Sequence, residues 1–397
     1  MQLTRRRLTP LLVALATFAA APVARGATPL SAIDEKAAAE LAVYQDTNAV
    51  QVVTSSLRAG VADPLRGWSA NGSYLVDFVS GASVDIVSTA SSRWSEVRHA
   101  GTLAARYKPS RVSVEASGAV SSEPDYRAMS GGLVGSMEVR DKTVTPMLGY
   151  AYAHETAGRK GTPFSIYALE LARHTISAGV ELVLDEMTTL SITANGLFEL
   201  GDQSKPYRYL PLFAREIAPR IQPGASFAIV NEARLPGRMA ERVPDLRQRF
   251  ALSFRFARRL ARTTFVASER LYADDWGLRA TTTDLRVIHD LAPRLDLSGR
   301  MRGHVQSSVD FWRRAYTADI TPGGVVAPSY RTGDRELSSL STVTAGAGLR
   351  WYLTPRTSEP RWSVGLQAEV WFTFFRDALY IRDRWAYLDA LDVTVEL

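Results

Sequence analysis

Apolar and polar residues alternate with a period of two along most of this chain. Phe250, Leu252, Phe254 and Phe256 are separated by Ala251, Ser253 and Arg255. Ile176, Ala178, Val180, Leu182 and Leu184 alternate with Ser177, Gly179, Glu181 and Val183. Leu190, Ile192, Ala194, Gly196 and Phe198 do the same with Thr189, Ser191, Thr193, Asn195 and Leu197. This patterning predicts strands with one apolar face and one small or polar face. Many runs last 10 to 14 residues, against roughly 5 or 6 in soluble domains and roughly 9 to 11 in a membrane-crossing strand. The polar face is rich in Gly, Ser, Thr, Arg and Glu. A sheet with an apolar outside and a polar inside must close on itself, because unpaired edges are intolerable in lipid. The predicted fold class is therefore all-β: a single closed antiparallel transmembrane β-barrel. A soluble β-sandwich is the competing reading.

Turn signals place strands near 68–79, 97–107, 111–121, 127–139, 143–154, 173–184, 188–200, 246–258, 262–273, 278–290, 293–306, 338–353, 361–374 and 385–397. Connections are long at 80–96, 155–172, 201–245 and 307–337. They largely interleave with short ones, as long outer loops and short periplasmic turns do in outer-membrane barrels. Fourteen strands are favoured, with both chain ends in the periplasm. Residues 33–43 read as a short helix and 48–61 as a further strand. A fifteenth strand has the wrong parity for a bacterial single-chain barrel, so sixteen are possible, with the missing partner sought in 160–172. The last strand ends on an apolar face of Trp385, Tyr387, Leu391, Val393, Val395 and Leu397, interrupted by Asp389. The eight tryptophans lie mostly near predicted strand ends, as interfacial girdles would require.

The first residues change the reading of composition. Arg5, Arg6 and Arg7 precede an apolar run to Val23 and the small-residue end Ala24-Arg25-Gly26, the pattern of a secretory signal peptide. The predicted organisation is a signal peptide at 1–26, an N-terminal periplasmic or luminal segment at 27–67 with a possible first strand, and the barrel at 68–397. The 397 residues carry a formal charge of +6. Removal of 1–26 leaves 43 basic against 41 acidic residues, which removes the case for nucleic acid as a partner. There is no cysteine, so disulfides, thiolate metal sites and a cysteine nucleophile are excluded.

Catalytic chemistry is sparse. None of the five histidines has metal-ligand spacing, and neither a nucleophile elbow nor a phosphate-binding glycine loop occurs. His154 and His174, bracketing a hydroxyl-rich loop, are the nearest to catalytic candidates. The carboxylates of Asp274-Asp275-Trp276-Gly277 suit either a turn or a divalent cation, and the turn is favoured. Charges on or near the polar strand faces are candidates to line the lumen: Glu115, Glu181, Glu199, Arg255, Arg279, Arg286, Asp296, Arg300, Arg302, Arg350 and Glu369. Their mixed sign suits a hydrated interior braced by bidentate pairs. The 201–245 loop carries Lys205, Arg208, Arg215, Arg220, Arg234, Arg238 and Arg242. It is read either as a solvated external loop or as one that folds inward and meets an anionic ligand or lipopolysaccharide.

Several phrases occur in order: Gly81-Ala82-Ser83, Lys205-Pro206-Tyr207-Arg208-Tyr209-Leu210-Pro211, Leu235-Pro236-Gly237-Arg238, Arg247-Gln248-Arg249 and Leu271-Tyr272-Ala273-Asp274-Asp275-Trp276-Gly277. Together they resemble the outer-membrane proteins grouped as domain of unknown function 3570, from about Leu41 to the C-terminus. The resemblance implies an outer-membrane β-barrel of a Gram-negative bacterium with no assigned substrate. The expected function is a porin or uptake channel for small polar or anionic solutes. The alternatives are a non-conducting barrel in envelope structure or assembly, and an outer-membrane enzyme. No cofactor, metal or catalytic residue is expected. Expected partners are outer-membrane lipid and lipopolysaccharide, small solutes, and the barrel-assembly machinery during biogenesis.

Overall fold

The computed structural model describes residues 33–80 and 95–397. The segment 1–26, the Gly81-Ala82-Ser83 phrase and Trp94 lie outside the described residues. The barrel wall consists of β1 (Asp34–Asp46), β2 (Gln51–Asp63), β3 (Trp68–Ser80), β4 (Ser95–Tyr107), β5 (Val112–Glu123), β6 (Tyr126–Met137), β7 (Val144–Ala157), β8 (Leu169–Asp185) and β9 (Thr188–Gly201). It continues, after three short strands in a loop, with β13 (Leu246–Leu260), β14 (Thr263–Asp274), β15 (Arg279–Ala292) and β16 (Leu295–Gln306). Three more short strands precede β20 (Leu340–Tyr352), β21 (Arg361–Phe375) and β22 (Asp383–Glu396). Each wall strand pairs antiparallel with its neighbour, and β1 pairs β22 to close a barrel of sixteen strands.

The fifteenth and sixteenth strands are β2 and β1. The wall thus begins at Asp34 rather than at Trp68, and 33–43 is strand rather than helix. Its Ala-rich sequence satisfies both periods locally. What decides is the seam: Leu41 sits opposite Leu391 on one side and Ser55 on the other, so only an extended chain satisfies both edges. The sought partner in 160–172 is a loop up to Tyr167, and Leu169 opens β8.

The register sorts the two faces. Leu57, Tyr74, Leu103, Met129, Leu148, Ile176, Phe250, Leu285, Met301 and Leu366 are exposed apolar residues on the outer face. This is the band a hydrocarbon layer covers. Among the described residues no helix is long and apolar enough to cross a membrane; the strands do so. Short turns join β2–β3, β4–β5, β8–β9, β13–β14 and β15–β16 at the end that also holds the start of β1 and the end of β22. The longest connections, 202–245 and 307–339, lie at the opposite end, which the length rule makes extracellular.

Those long loops fold. They contain β10 (Tyr209–Leu210), β11 (Leu212–Phe213), β12 (Met239–Ala240), β17 (Tyr316–Thr317), β18 (Asp319–Thr321), β19 (Gly324–Val326), the α-helix α1 (Phe227–Ala233) and two single turns of 3-10 helix, Ala218–Arg220 and Arg335–Leu337. β10 pairs β12 within the first loop, and β11 pairs β17 across the two loops. Phe213 and Val230 are fully buried in one cluster, and Leu210, Leu212 and Tyr316 in a second. Val309 and Trp312 pack on Trp276 and on inward-facing Tyr272 and Ala280. The apolar core of this protein is therefore a cap on the extracellular mouth, held against the wall's inner face.

Candidate functional site

The inward face carries ion pairs that skip a strand. Arg300 on β16 meets Asp284 on β15 at 2.5 Å and Glu369 on β21 at 2.9 Å. β20 lies between Arg300 and Glu369, and its residue in that row is Gly346, where a Cβ would come within 2.8 Å of the Glu369 side chain. Arg350 reaches Asp392 at 3.0 Å in the same way, over Gly365. Asp296 holds Arg356 and accepts from the Tyr352 hydroxyl at 3.1 Å. Arg286 contacts Asp284 at 3.1 Å.

Glu115, Glu181, Glu199, Arg255, Arg286, Asp296, Arg300, Arg302, Arg350 and Glu369 all occupy inward register positions. Arg279 does not. It lies opposite Ala273, which lies opposite Phe250, so it belongs to the lipid-side row at the extracellular rim. Alternation continues unbroken to the strand end, and a rim arginine keeps its head in water while its stem lies on the wall. His154 and His174 also stand on the outer face; the Tyr150 hydroxyl hydrogen-bonds His174 Nδ1 at 2.8 Å. They form no catalytic pair with the lumen charges. The tryptophans divide: Trp351 and Trp385 are exposed on the outer face, whereas Trp276 and Trp312 are buried in the cap.

The phrases at 205–208, 247–249 and 271–277 converge where wall meets cap. Glu199 is fully buried and bridges Arg173 Nε at 2.9 Å and Arg249 Nη2 at 2.7 Å. Arg247 donates to Asp274 Oδ2 through Nε (2.9 Å) and Nη2 (2.5 Å), and its guanidinium stacks 4.2 Å from the Trp276 ring. The other Asp274 oxygen accepts from the backbone of Trp276 and Leu278, and Asp275 accepts from the Gln248 backbone at 2.9 Å. Gly277 closes this turn at φ +87°. The Asp-Asp-Trp-Gly carboxylates are thus committed to a turn and to Arg247.

The Lys205-Pro206-Tyr207-Arg208 phrase ties the cap down. The Tyr207 hydroxyl donates to Asp125 at 2.5 Å and accepts from the Lys160 backbone; burial, with Asp125 adding to it, pushes its pKa up to about 12. Arg208 lies 2.9 Å from Asp334 and 3.3 Å from Glu241. Glu241 also accepts from the Thr332 hydroxyl at 2.5 Å and the Lys205 backbone at 2.9 Å. Burial raises its pKa above the ordinary carboxylate value despite Arg208. Between wall and cap lies a cavity of about 130 Å³ lined by Tyr126, Glu155, Arg173, Gln203, Arg249 and Trp276 among others.

Sequence reading missed Glu241, Thr332 and Asp334, which only the docking of two loops brings together. It also missed Glu96, Glu123 and Asp125, whose oxygens lie within 4.8 Å of one another at the rim. They are the described residues best able to hold a hard divalent cation. Arg173, Arg247 and Arg249 were findable: each occupies a strand position in phase with, or directly opposite, Glu199.

A closed even-numbered wall, an apolar band and a charged interior define a transmembrane β-barrel of the Gram-negative outer-membrane type. Residues 171–369 match the family described as a protein of unknown function, DUF3570, and the chain belongs to that family. No curated protein matches it. Among solved structures, a mutant of the ferric enterobactin receptor PfeA from Pseudomonas aeruginosa is 12% identical, with 86% of this chain and 53% of that one covered and a TM-score of 0.43. The siderophore receptor PirA from Acinetobacter baumannii is 9% identical, with 86% and 53% covered and a TM-score of 0.41. A bacterial polysaccharide outer membrane secretin is 10% identical, with 92% and 98% covered and a TM-score of 0.44. The chain spans about half the length of the two receptors. At these values the likeness is one of barrel fold alone.

Proposed function

We propose that the protein is a channel for small polar solutes, narrowed at its extracellular mouth by the folded cap. The observation that carries this reading is the periplasmic half of the lumen. A cavity of about 620 Å³ opens there, lined by Lys36, Glu40, Ser56, Arg58, Asn71, Thr102, Arg350 and Asp392. Such a lining holds water. Its cations Lys36, Arg58 and Arg350 sit against the carboxylates Glu396, Glu40 and Asp392, so it favours neutral or weakly charged solutes over a strongly selected ion. Outer-leaflet lipopolysaccharide and phospholipid surround the wall, and the barrel-assembly machinery inserts it.

The buried cap favours a second reading, a non-conducting barrel with an envelope-structural role. The two separate in planar bilayers. A channel gives discrete conductance steps, and Tyr207→Phe, which removes the cap's bond to Asp125, raises their frequency about fivefold, the worth of one hydrogen bond. Silence from both proteins, each correctly folded, refutes the channel.

A further inference from the structure

Several wall arginines pair with carboxylates, among them Arg173, Arg300 and Arg350, whereas Arg234, Arg238, Arg242 and Arg331 are among the cap arginines that do not. Arg234 Nε and Arg238 Nη2 both donate to one neutral atom, Asn231 Oδ1, at 3.1 and 3.3 Å. Arg234 otherwise meets only the carbonyls of Leu235 and Gly237. Arg242 and Arg331 face each other in an antiparallel bridge, exchanging both backbone hydrogen bonds at 3.0 and 2.8 Å. Like charges directly opposite on a ladder repel. Arg331 answers with bonds to the carbonyls of Ala240, Pro328 and Ser329. The first of these joins the two arginine pairs, because Ala240 lies between Arg238 and Arg242. Burial, and then the charge of Arg242, lower the pKa of Arg331. None of the four forms an ion pair among the described residues, and the Nε of Arg238 has no acceptor. Glu232, next to Asn231, makes no ion pair with them, and Glu241 is committed to Arg208.

We infer that Arg234, Arg238, Arg242 and Arg331 form a docking surface for soluble, multiply charged anions bearing phosphate or carboxylate groups. Carbonyl and amide bonds orient the guanidiniums of Arg234, Arg238 and Arg331 without neutralising them. Their planar forks suit such oxyanions, and a multivalent anion relieves the repulsion within both pairs at once. Asn231 is the informative residue, since a carboxylate there would neutralise one pair internally.

The surface is independent of conduction. Its test is tripolyphosphate binding, by calorimetry at low salt, to the full chain refolded in neutral detergent, with lipopolysaccharide-containing and phosphatidylcholine-only vesicles as a second arm. We expect saturable tripolyphosphate binding that weakens about tenfold in R238Q/R242Q and also in N231D, tenfold being the scale of one lost charge-assisted contact. N231D adds an acceptor for two cations and keeps the cap folded, so its loss of binding reads charge rather than unfolding. Absence of binding, or binding unchanged in both variants, overturns the inference. So does retention on lipopolysaccharide vesicles without tripolyphosphate binding, which makes the patch a lipid contact. Silent bilayers with intact binding leave it standing; conductance without binding overturns it and spares the channel.

Discussion

Glu199 shows what a single carboxylate does inside this wall. It has no exposed surface, and its two oxygens serve Arg173 and Arg249. Such a pair adds little net stability when intact, because desolvation offsets attraction. Removing Glu199 is different, since Arg249 then loses its carboxylate and Arg173 is left with Glu155 alone. Glu199→Ala should lower the unfolding free energy by about 3 kcal/mol, with Glu199→Gln intermediate. Glu115→Gln, a change at a more hydrated lumen position, should stay within about 0.5 kcal/mol. Urea unfolding in liposomes, followed by tryptophan fluorescence, measures all three; equal midpoints for Glu199→Ala and Glu115→Gln would contradict this role. The same alternation places Arg247 and Arg249 inward, although the sequence reading did not name them there, and it made Glu199 visible as an inward residue. Their partnership was not, because it depends on which strands become neighbours across a 44-residue connection between Gly201 and Leu246.

At the scale of elements, the wall and the cap differ in what specifies them. Thirteen-residue strands with one apolar face announce themselves by period, and the fourteen expected strands fall within four residues of their observed ends. β1 escaped because its alanines fit a helix as well as a sheet, and only closure against β22 chooses. The cap has two-residue strands and a seven-residue helix, too short for a periodic signal. Its order depends on side chains such as Glu241, which makes it pH-sensitive. The folded pKa of Glu241 is raised by burial, so the folded cap binds a proton more readily than the unfolded loop. That contribution is fully present below the ordinary carboxylate pKa and is lost as pH rises through the raised value. Hydrogen-exchange protection around 205–210 and 331–334, corrected for intrinsic rates, should therefore be greater at about pH 5 than at about pH 8. Glu241→Gln removes the titrating group while its one carbonyl oxygen keeps one of the two acceptor contacts, to Thr332 or to the Lys205 backbone, and should flatten the dependence; an unchanged slope in that variant would place the titration elsewhere.

For the whole molecule, membrane orientation follows from which end carries the folded loops. Closure of β1 on β22 puts the start of β1 and the end of β22 at the end with the short turns. The cap, anchored through the Tyr207–Asp125 bond and the packing of Val309 and Trp312 on Trp276, then faces the cell exterior. Both 202–245 and 307–339 leave the same end of the barrel, so they meet outside the membrane without carrying irregular backbone through lipid, and the greater length of these loops points that end outward. The chain has no cysteine, so single thiols report sidedness without background. Ser329→Cys, exposed beside the cap, should react with a membrane-impermeant maleimide on intact cells. Glu186→Cys, exposed in the β8–β9 turn, should react only after the outer membrane is opened. The reverse pattern would invert the barrel, put the cap and its arginines in the periplasm, and turn the 620 Å³ vestibule outward. Labelling of both sites on intact, non-leaky cells would mean that the closed wall is not the form present in the membrane.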